Sequence, residues 1–144
     1  MFDRILVVCI GNICRSPVAE ALLKQQFPHK QISSAGLGAR VGEGVDPNAR
    51  HLGEADGLHL ADHQARQLTA DMLNEVDLVL VMSDGQRRAV GDISPAALGK
   101  TMRIGRWLGD SGEDIPDPYR KSPEIFELVH RKLTQATATW ANKL

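Results

Sequence analysis

The sequence predicts an α/β fold: a single three-layer domain in which a four-stranded parallel sheet carries helices on both faces. Three observations lead there. Short apolar runs alternate with longer segments whose apolar residues recur at helical spacing. The clearest runs are continuously apolar, as strands buried on both faces are. The 144 residues suffice for one sizeable core and contain no internal repeat, linker or low-complexity stretch, so residues 1–144 read as one domain.

Residues 5–8, I-L-V-V, form the first strand. Ser16 and Pro17 then supply a helix N-cap and first turn, because proline lacks the N–H that would go unpaired there. Val18, Ala21 and Leu22 follow at helical spacing. Residues 31–35 are a second, weaker strand, and residues 36–44 a glycine-rich loop. Asp46-Pro47 opens another helix by the same cap logic, running to about Ala55. Residues 69–73 suggest a short helix, and residues 77–82, D-L-V-L-V-M, the clearest strand after the first. Ser83-Asp84 begins a polar helix, residues 101–104 form a fourth strand, and residues 105–120 read as a long loop. Ser122-Pro123-Glu124 caps the last helix, whose apolar face is Phe126, Val129, Leu133, Ala136 and Trp140.

The bulk composition excludes several classes of function. A net charge of −1 gives no broad attraction to nucleic acid or to an anionic membrane, so any anion site must be local. No apolar stretch approaches the ~20 residues of a membrane span, and the start, M-F-D-R-I-L-V-V-C, lacks the pattern of a secretion signal. A cytoplasmic protein is expected. Its two cysteines, Cys9 and Cys14, cannot build a disulfide framework and point to reactivity. The five histidines have no ligand spacing, so neither a metal nor a cofactor is expected.

Ligands bind outside the carboxyl ends of such strands, and Cys9 lies at one of them, in C-I-G-N-I-C-R-S-P. Taken alone, a cysteine ending an apolar strand is a small core residue. Its neighbours change that balance. Gly11 permits tight backbone geometry, and Asn12 tolerates positive φ and can fix a loop through its amide. A loop wrapped ahead of a helix N-terminus turns backbone N–H groups inward and makes an anion site. Arg15 adds a planar fork suited to two phosphate oxygens. An anion site suits a thiolate as well, so one loop can hold both a phosphate and the nucleophile aimed at it. Ser16 can donate to the sulfur. A proton donor for the leaving group is still needed. Asp117 in I-P-D-P-Y is either that acid or an ordinary turn aspartate.

C-I-G-N-I-C-R-S-P together with D-P-Y resembles the low-molecular-weight protein tyrosine phosphatases. S-A-G at residues 34–36 and H-Q-A-R-Q-L at residues 63–68 extend the resemblance over nearly the whole chain. It implies strands in the flavodoxin-like order 2-1-3-4. It implies Cys9 as nucleophile, Arg15 as phosphate clamp and Asp117 as general acid, with Ile10, Gly11, Asn12, Ile13, Cys14 and Ser16 around the phosphate and Ser34 and His63 supporting the loop. Cys14 can trap oxidised Cys9 as a disulfide and can pack the loop, and the two roles do not exclude one another. Tyr119 is the aromatic wall for the substrate ring. Arg40 stands where the family places an aromatic or aliphatic wall; it can stack on the ring, attract acidic residues near the phosphotyrosine, or point into water. M-F-x-x-I-L-V-V-C, S-A-G-L-G-A and I-P-D-P-Y-R-K-S are most similar to the bacterial branch associated with exopolysaccharide and capsule export. There the substrate implied is the C-terminal tyrosine cluster of a membrane tyrosine kinase.

Four rival readings are weaker. Thioredoxin-coupled arsenate reductases share the loop but need further cysteines, and none follows Cys14. Protein arginine phosphatases share the scaffold but carry a threonine where this chain has Ile13, whose bulk should crowd a guanidinium and suit a flat ring. A non-catalytic phosphotyrosine-binding module would have lost Cys9 or Asp117, and both are present. The glycines at 36, 38 and 42 make only a weak dinucleotide pattern, with Gly44 and Pro47 disfavouring an immediate helix.

Overall fold

The apolar residues of the first strand part cleanly between two cores, and the rest of the architecture follows from that division. The computed structural model describes residues 2–144. Its elements are β1 (Arg4–Cys9), α1 (Arg15–Gln26), β2 (Gln31–Gly36), α2 (Pro47–Ala55), α3 (Ala70–Asn74), β3 (Leu78–Val81), α4 (Asp84–Ile93), β4 (Thr101–Arg103) and α5 (Pro123–Thr139). The strands form one parallel sheet in the order β2-β1-β3-β4, as the resemblance implies. Side chains alternate across a strand. Ile5, Val7 and Cys9 therefore join a core with α1, α2 and α5, while Leu6 and Val8 join a second core with α3 and α4. Cys9 thus faces α1, and its register partner Gly36 ends β2 beside it.

The predicted face of α5 packs as expected: Phe126, Val129, Leu133, Ala136 and Trp140 are all buried. Each large side chain among them contributes about 1.5–3 kcal/mol by leaving water. The Trp140 indole N–H also donates to the Ile104 carbonyl at 2.8 Å, so its polar atom is not orphaned.

Asp46 caps α2 by accepting from the Asn48 N–H, and Thr69 caps α3 through Met72 N–H. Two other caps differ from expectation. The helix expected to start at Ser16 starts at Arg15, with Cys14 in the cap position and no side-chain cap bond. Ser16 lies inside the first turn, where its hydroxyl is drawn to a stronger set of partners described below. Ser122 does precede Pro123, yet its carbonyl, not its hydroxyl, receives the N–H groups of Ile125 and Phe126. A 3-10 turn over Pro95–Lys100, absent from the sequence expectation, leads into β4.

Residues 105–120 are a long connection, anchored rather than loose. Ile115 is buried, and its N–H donates to the Met82 carbonyl just past β3. The D-P-Y segment therefore leaves the C-terminal end of the sheet from a fixed point.

Candidate active site

Between β1 and α1 the chain makes a tight loop whose outer side is fully engaged. The carbonyls of Cys9, Ile10, Gly11 and Ile13 accept from the N–H groups of Leu37, Gly38, Arg40 and Asp46 at 2.8–3.0 Å. The Asn12 carbonyl accepts from His63 Nε2 at 2.6 Å. The peptide bonds are trans, so each N–H points opposite to the carbonyl of the same plane. Five consecutive amides, Ile10 to Cys14, are thereby turned away from these partners and toward the hollow of the loop. The anion cradle follows from where the carbonyls go.

Two backbone features permit this. Asn12 has φ of 58°, the left-handed region that asparagine tolerates. Gly36 allows a close approach: a Cβ there would lie 2.4 Å from the Ile10 carbonyl oxygen. Gly36→Ala must push the loop aside, at a cost of about 1–3 kcal/mol. The expected result is a melting temperature about 3–10 °C lower and weaker binding of inorganic phosphate; calorimetry that finds neither change would remove the close approach as a constraint.

Asn12 is fully buried and every polar atom of its side chain is used. Its Oδ1 accepts from the Arg66 N–H at 3.0 Å, which fixes the amide orientation. Its Nδ2 donates to Ser16 Oγ at 2.7 Å and to Ser34 Oγ at 3.0 Å. Ser34 Oγ in turn donates to Glu20 Oε1 at 2.5 Å. Ser16 Oγ, already an acceptor, has its proton left for Cys9 Sγ, 2.9 Å away. With Cys9 as the sulfur anion the serine hydroxyl is the donor of this contact, which stabilises negative charge there. This inward role is why Ser16 does not cap the helix.

Arg15 is buried, with Nη1 donating to the Ile115 carbonyl at 2.8 Å. Its Nη2 is 3.8 Å from Asp117 Oδ2, and its buried Nε has no acceptor in the protein. A buried guanidinium with a donor to spare, beside inward-facing amides, fits a tetrahedral oxyanion. Asp117 is half-exposed (49 %), and its Oδ1 accepts from the Tyr119 N–H at 3.0 Å. That turn aims the other carboxylate oxygen toward Arg15. The two roles open for Asp117 in the sequence are thus compatible.

These groups surround a cavity of about 150 Å³ whose floor includes Cys9, Cys14 and Arg15 and whose walls include Ile10, Ile13, Arg40, Asp117 and Tyr119. Ile13 is buried, whereas Ile10 is exposed at the edge. Arg40 lies at the mouth: its Nε donates to both carboxylate oxygens of Glu43, and its guanidinium carbon is 5.6 Å from the Tyr119 ring centre. Cys14 differs sharply from a reactive thiol. Burial, then the charges of Asp46 and Cys9, push it up to about 12, so it stays protonated at neutral pH.

Every site residue foreseen in the sequence converges on this cavity or on the network beneath it. Two supporting residues were not foreseen. Glu20 ends the hydrogen-bond chain, and Arg66 holds both Asn12, through its N–H, and the Ser34 carbonyl, through Nε at 2.8 Å. Arg66 lies within H-Q-A-R-Q-L, the one signal that pointed to it; Glu20 looks like any surface carboxylate of a helix.

Comparison with known proteins gives a consistent picture. The family model described as low molecular weight phosphotyrosine protein phosphatase matches residues 4–144. The low molecular weight protein-tyrosine-phosphatase Wzb of Salmonella typhimurium is 49 % identical over 144 residues, covering 100 % of this chain and 95 % of that protein. The crystal structure of the tyrosine phosphatase Wzb from Escherichia coli K30 in complex with sulphate superposes with a TM-score of 0.95 at 45 % identity, covering 99 % of each chain. The YwlE arginine phosphatase from Geobacillus stearothermophilus superposes with a TM-score of 0.90 at 31 % identity, covering 97 % of this chain and 91 % of the other.

Proposed function

The chain belongs to the low molecular weight phosphotyrosine protein phosphatase family, and on that premise we propose that it hydrolyses phosphotyrosine in proteins through a cysteinyl-phosphate intermediate. The observation that carries this reading is the convergence of Cys9 Sγ, Arg15 and Asp117 on one cavity floored by inward-facing amides. The phosphate dianion sits on those amides and on the Arg15 guanidinium, which also hold the charge that develops on the equatorial oxygens. The Cys9 sulfur anion attacks phosphorus opposite the phenolic oxygen. The S–P bond forms, the P–O bond breaks, and Asp117 delivers a proton to the leaving oxygen. Water then attacks the phosphocysteine, giving its proton to Asp117, and the S–P bond breaks. The Ser16 hydroxyl steadies the departing sulfur, as it steadies the attacking one.

Ile13 and Tyr119 supply the flat walls that suit a phenyl ring. The arginine phosphatase likeness supports a second reading, phosphoarginine as substrate, but buried Ile13 leaves little polar complement for a guanidinium. High identity to Wzb-type relatives supports a partner of the same kind: the tyrosine cluster at the C-terminus of a membrane tyrosine kinase controlling exopolysaccharide or capsule export, met from the cytoplasm. No described helix is long and apolar enough to cross a membrane.

A panel of phosphotyrosine, phosphoserine and phosphoarginine peptides tests the reading, with Cys9→Ser as control. Phosphotyrosine should be turned over at least about 100-fold faster than the others, since the walls discriminate by shape and polarity together. Comparable rates on phosphoarginine would replace the tyrosine reading by the second one.

A further inference from the structure

We propose that the mouth of this pocket selects phosphotyrosines that have an anionic group close by in the substrate, and that Arg40 and Arg120 make the selection. The proposal rests on the phosphatase reading above and narrows its substrate class. Two guanidinium groups lie over the Tyr119 ring, Arg40 at 5.6 Å and Arg120 at 5.2 Å from its centre. Stacking on an aromatic ring holds a guanidinium in place without using its N–H donors. The donors stay available for a carboxylate or a second phosphate.

The charge count at the mouth is unbalanced. Glu43 engages Arg40 through Nε alone, leaving the two Nη groups. Asp117 faces Arg15. Among the described residues Arg120 has no carboxylate partner, and neither has the exposed Lys121 next to it. This local excess of positive charge sits in a chain whose net charge is −1, so it is not a reflection of a basic protein.

The backbone adds an independent observation. Arg120 has φ of 61°, uncommon in a residue other than glycine or asparagine, at the third position of a tight turn, where a positive φ is accommodated. That turn, Pro118 to Lys121, is closed by Lys121 N–H on the Pro118 carbonyl at 2.9 Å, and the Arg120 guanidinium lies over the Tyr119 ring. A glycine or asparagine would accept this φ more readily, yet would put no cation at the rim.

The test measures kcat/KM for one phosphotyrosine peptide made with glutamate, alanine or lysine on both sides of the phosphotyrosine, and with a second phosphotyrosine nearby. The readout is the ratio of each to the alanine peptide within one enzyme variant, which cancels any general loss of activity. The glutamate peptide should be favoured about threefold to tenfold and the lysine peptide disfavoured, the scale of exposed ion pairs. The second-phosphate peptide should equal or exceed glutamate if the rim reads charge, and exceed it clearly if phosphate is the natural group. Arg40→Leu with Arg120→Asn, the asparagine chosen to keep the left-handed φ, should bring the glutamate ratio below about twofold, as should raising the salt to about 0.5 M. Glu43→Gln should raise the ratio by freeing Arg40. Equal kcat/KM across the flanks, or a preference unchanged in the double variant, overturns the proposal while leaving the phosphatase reading in place. No turnover of any phosphotyrosine peptide overturns both.

Discussion

Replacing Cys9 by serine removes turnover of a phosphotyrosine peptide by at least about 10⁴-fold, the scale on which losing a covalent nucleophile is felt, while leaving the fold and the anion site standing. The two halves of that expectation have separate causes. The sulfur anion attacks phosphorus; a serine hydroxyl at the same place is far less acidic than a thiol and remains protonated. Ser16 cannot serve as its base, because a neutral serine hydroxyl is far too weak to take a proton from another hydroxyl. The fold survives because serine is smaller than cysteine and its hydroxyl finds a ready partner in Ser16, 2.9 Å from the sulfur it replaces. A shift in melting temperature of no more than about 5 °C is expected. The cradle survives because its amides are set by the outward carbonyls and by Asn12, none of which involves the Cys9 side chain. Isothermal titration with inorganic phosphate should therefore still show binding when steady-state turnover is gone. Activity retained within about tenfold of the parent would mean that the nucleophile lies elsewhere.

How much of this was legible in the sequence depended on how local each feature is. The cradle was legible because Cys9, Gly11, Asn12, Arg15 and Ser16 are contiguous, and a strand, a turn and a helix start can be read from them in order. The two-sided burial of β1 and β3 was legible for the same reason. Ser16 carries two readings in the sequence, helix cap and hydrogen-bond partner of the Cys9 sulfur; only the cap fails, because the hydroxyl is held by Cys9 and Asn12. Glu20 was invisible as a site residue, and Arg66 was marked only by its place in H-Q-A-R-Q-L, because what they do depends on Ser34, 14 and 32 residues away. Arg40 remained open among three roles until the fold brought Tyr119 to it, beside its near neighbour Glu43. No spacing rule links positions so distant in the chain; only the order of strands does.

Asp117→Asn is the second large effect, and it is diagnostic because it should be unequal. Asparagine matches aspartate in shape, and its side-chain carbonyl can still accept from the Tyr119 N–H, so the turn at the rim should hold. What is lost is the proton. A leaving group such as the tyrosine phenolate, poor at departing unprotonated, should slow by about 100-fold or more, whereas a strongly acidic phenol that departs without help should slow far less. Across a series of aryl phosphates the dependence of kcat/KM on leaving-group acidity should steepen, because the transition state then carries uncompensated charge on oxygen. The neighbouring geometry offers a competing explanation that the same series separates. Asp117 Oδ2 lies 3.8 Å from Arg15 Nη2, so the carboxylate also helps place the phosphate clamp. Loss of that placement would weaken phosphate binding for every substrate alike, lowering rates in parallel with no change of slope. With Asp117 half in solvent and Arg15 already fixed on the Ile115 carbonyl, the placement effect should be the smaller of the two. A parallel drop with an unchanged slope would leave Asp117 as a positioning residue and oblige the proton to come from water.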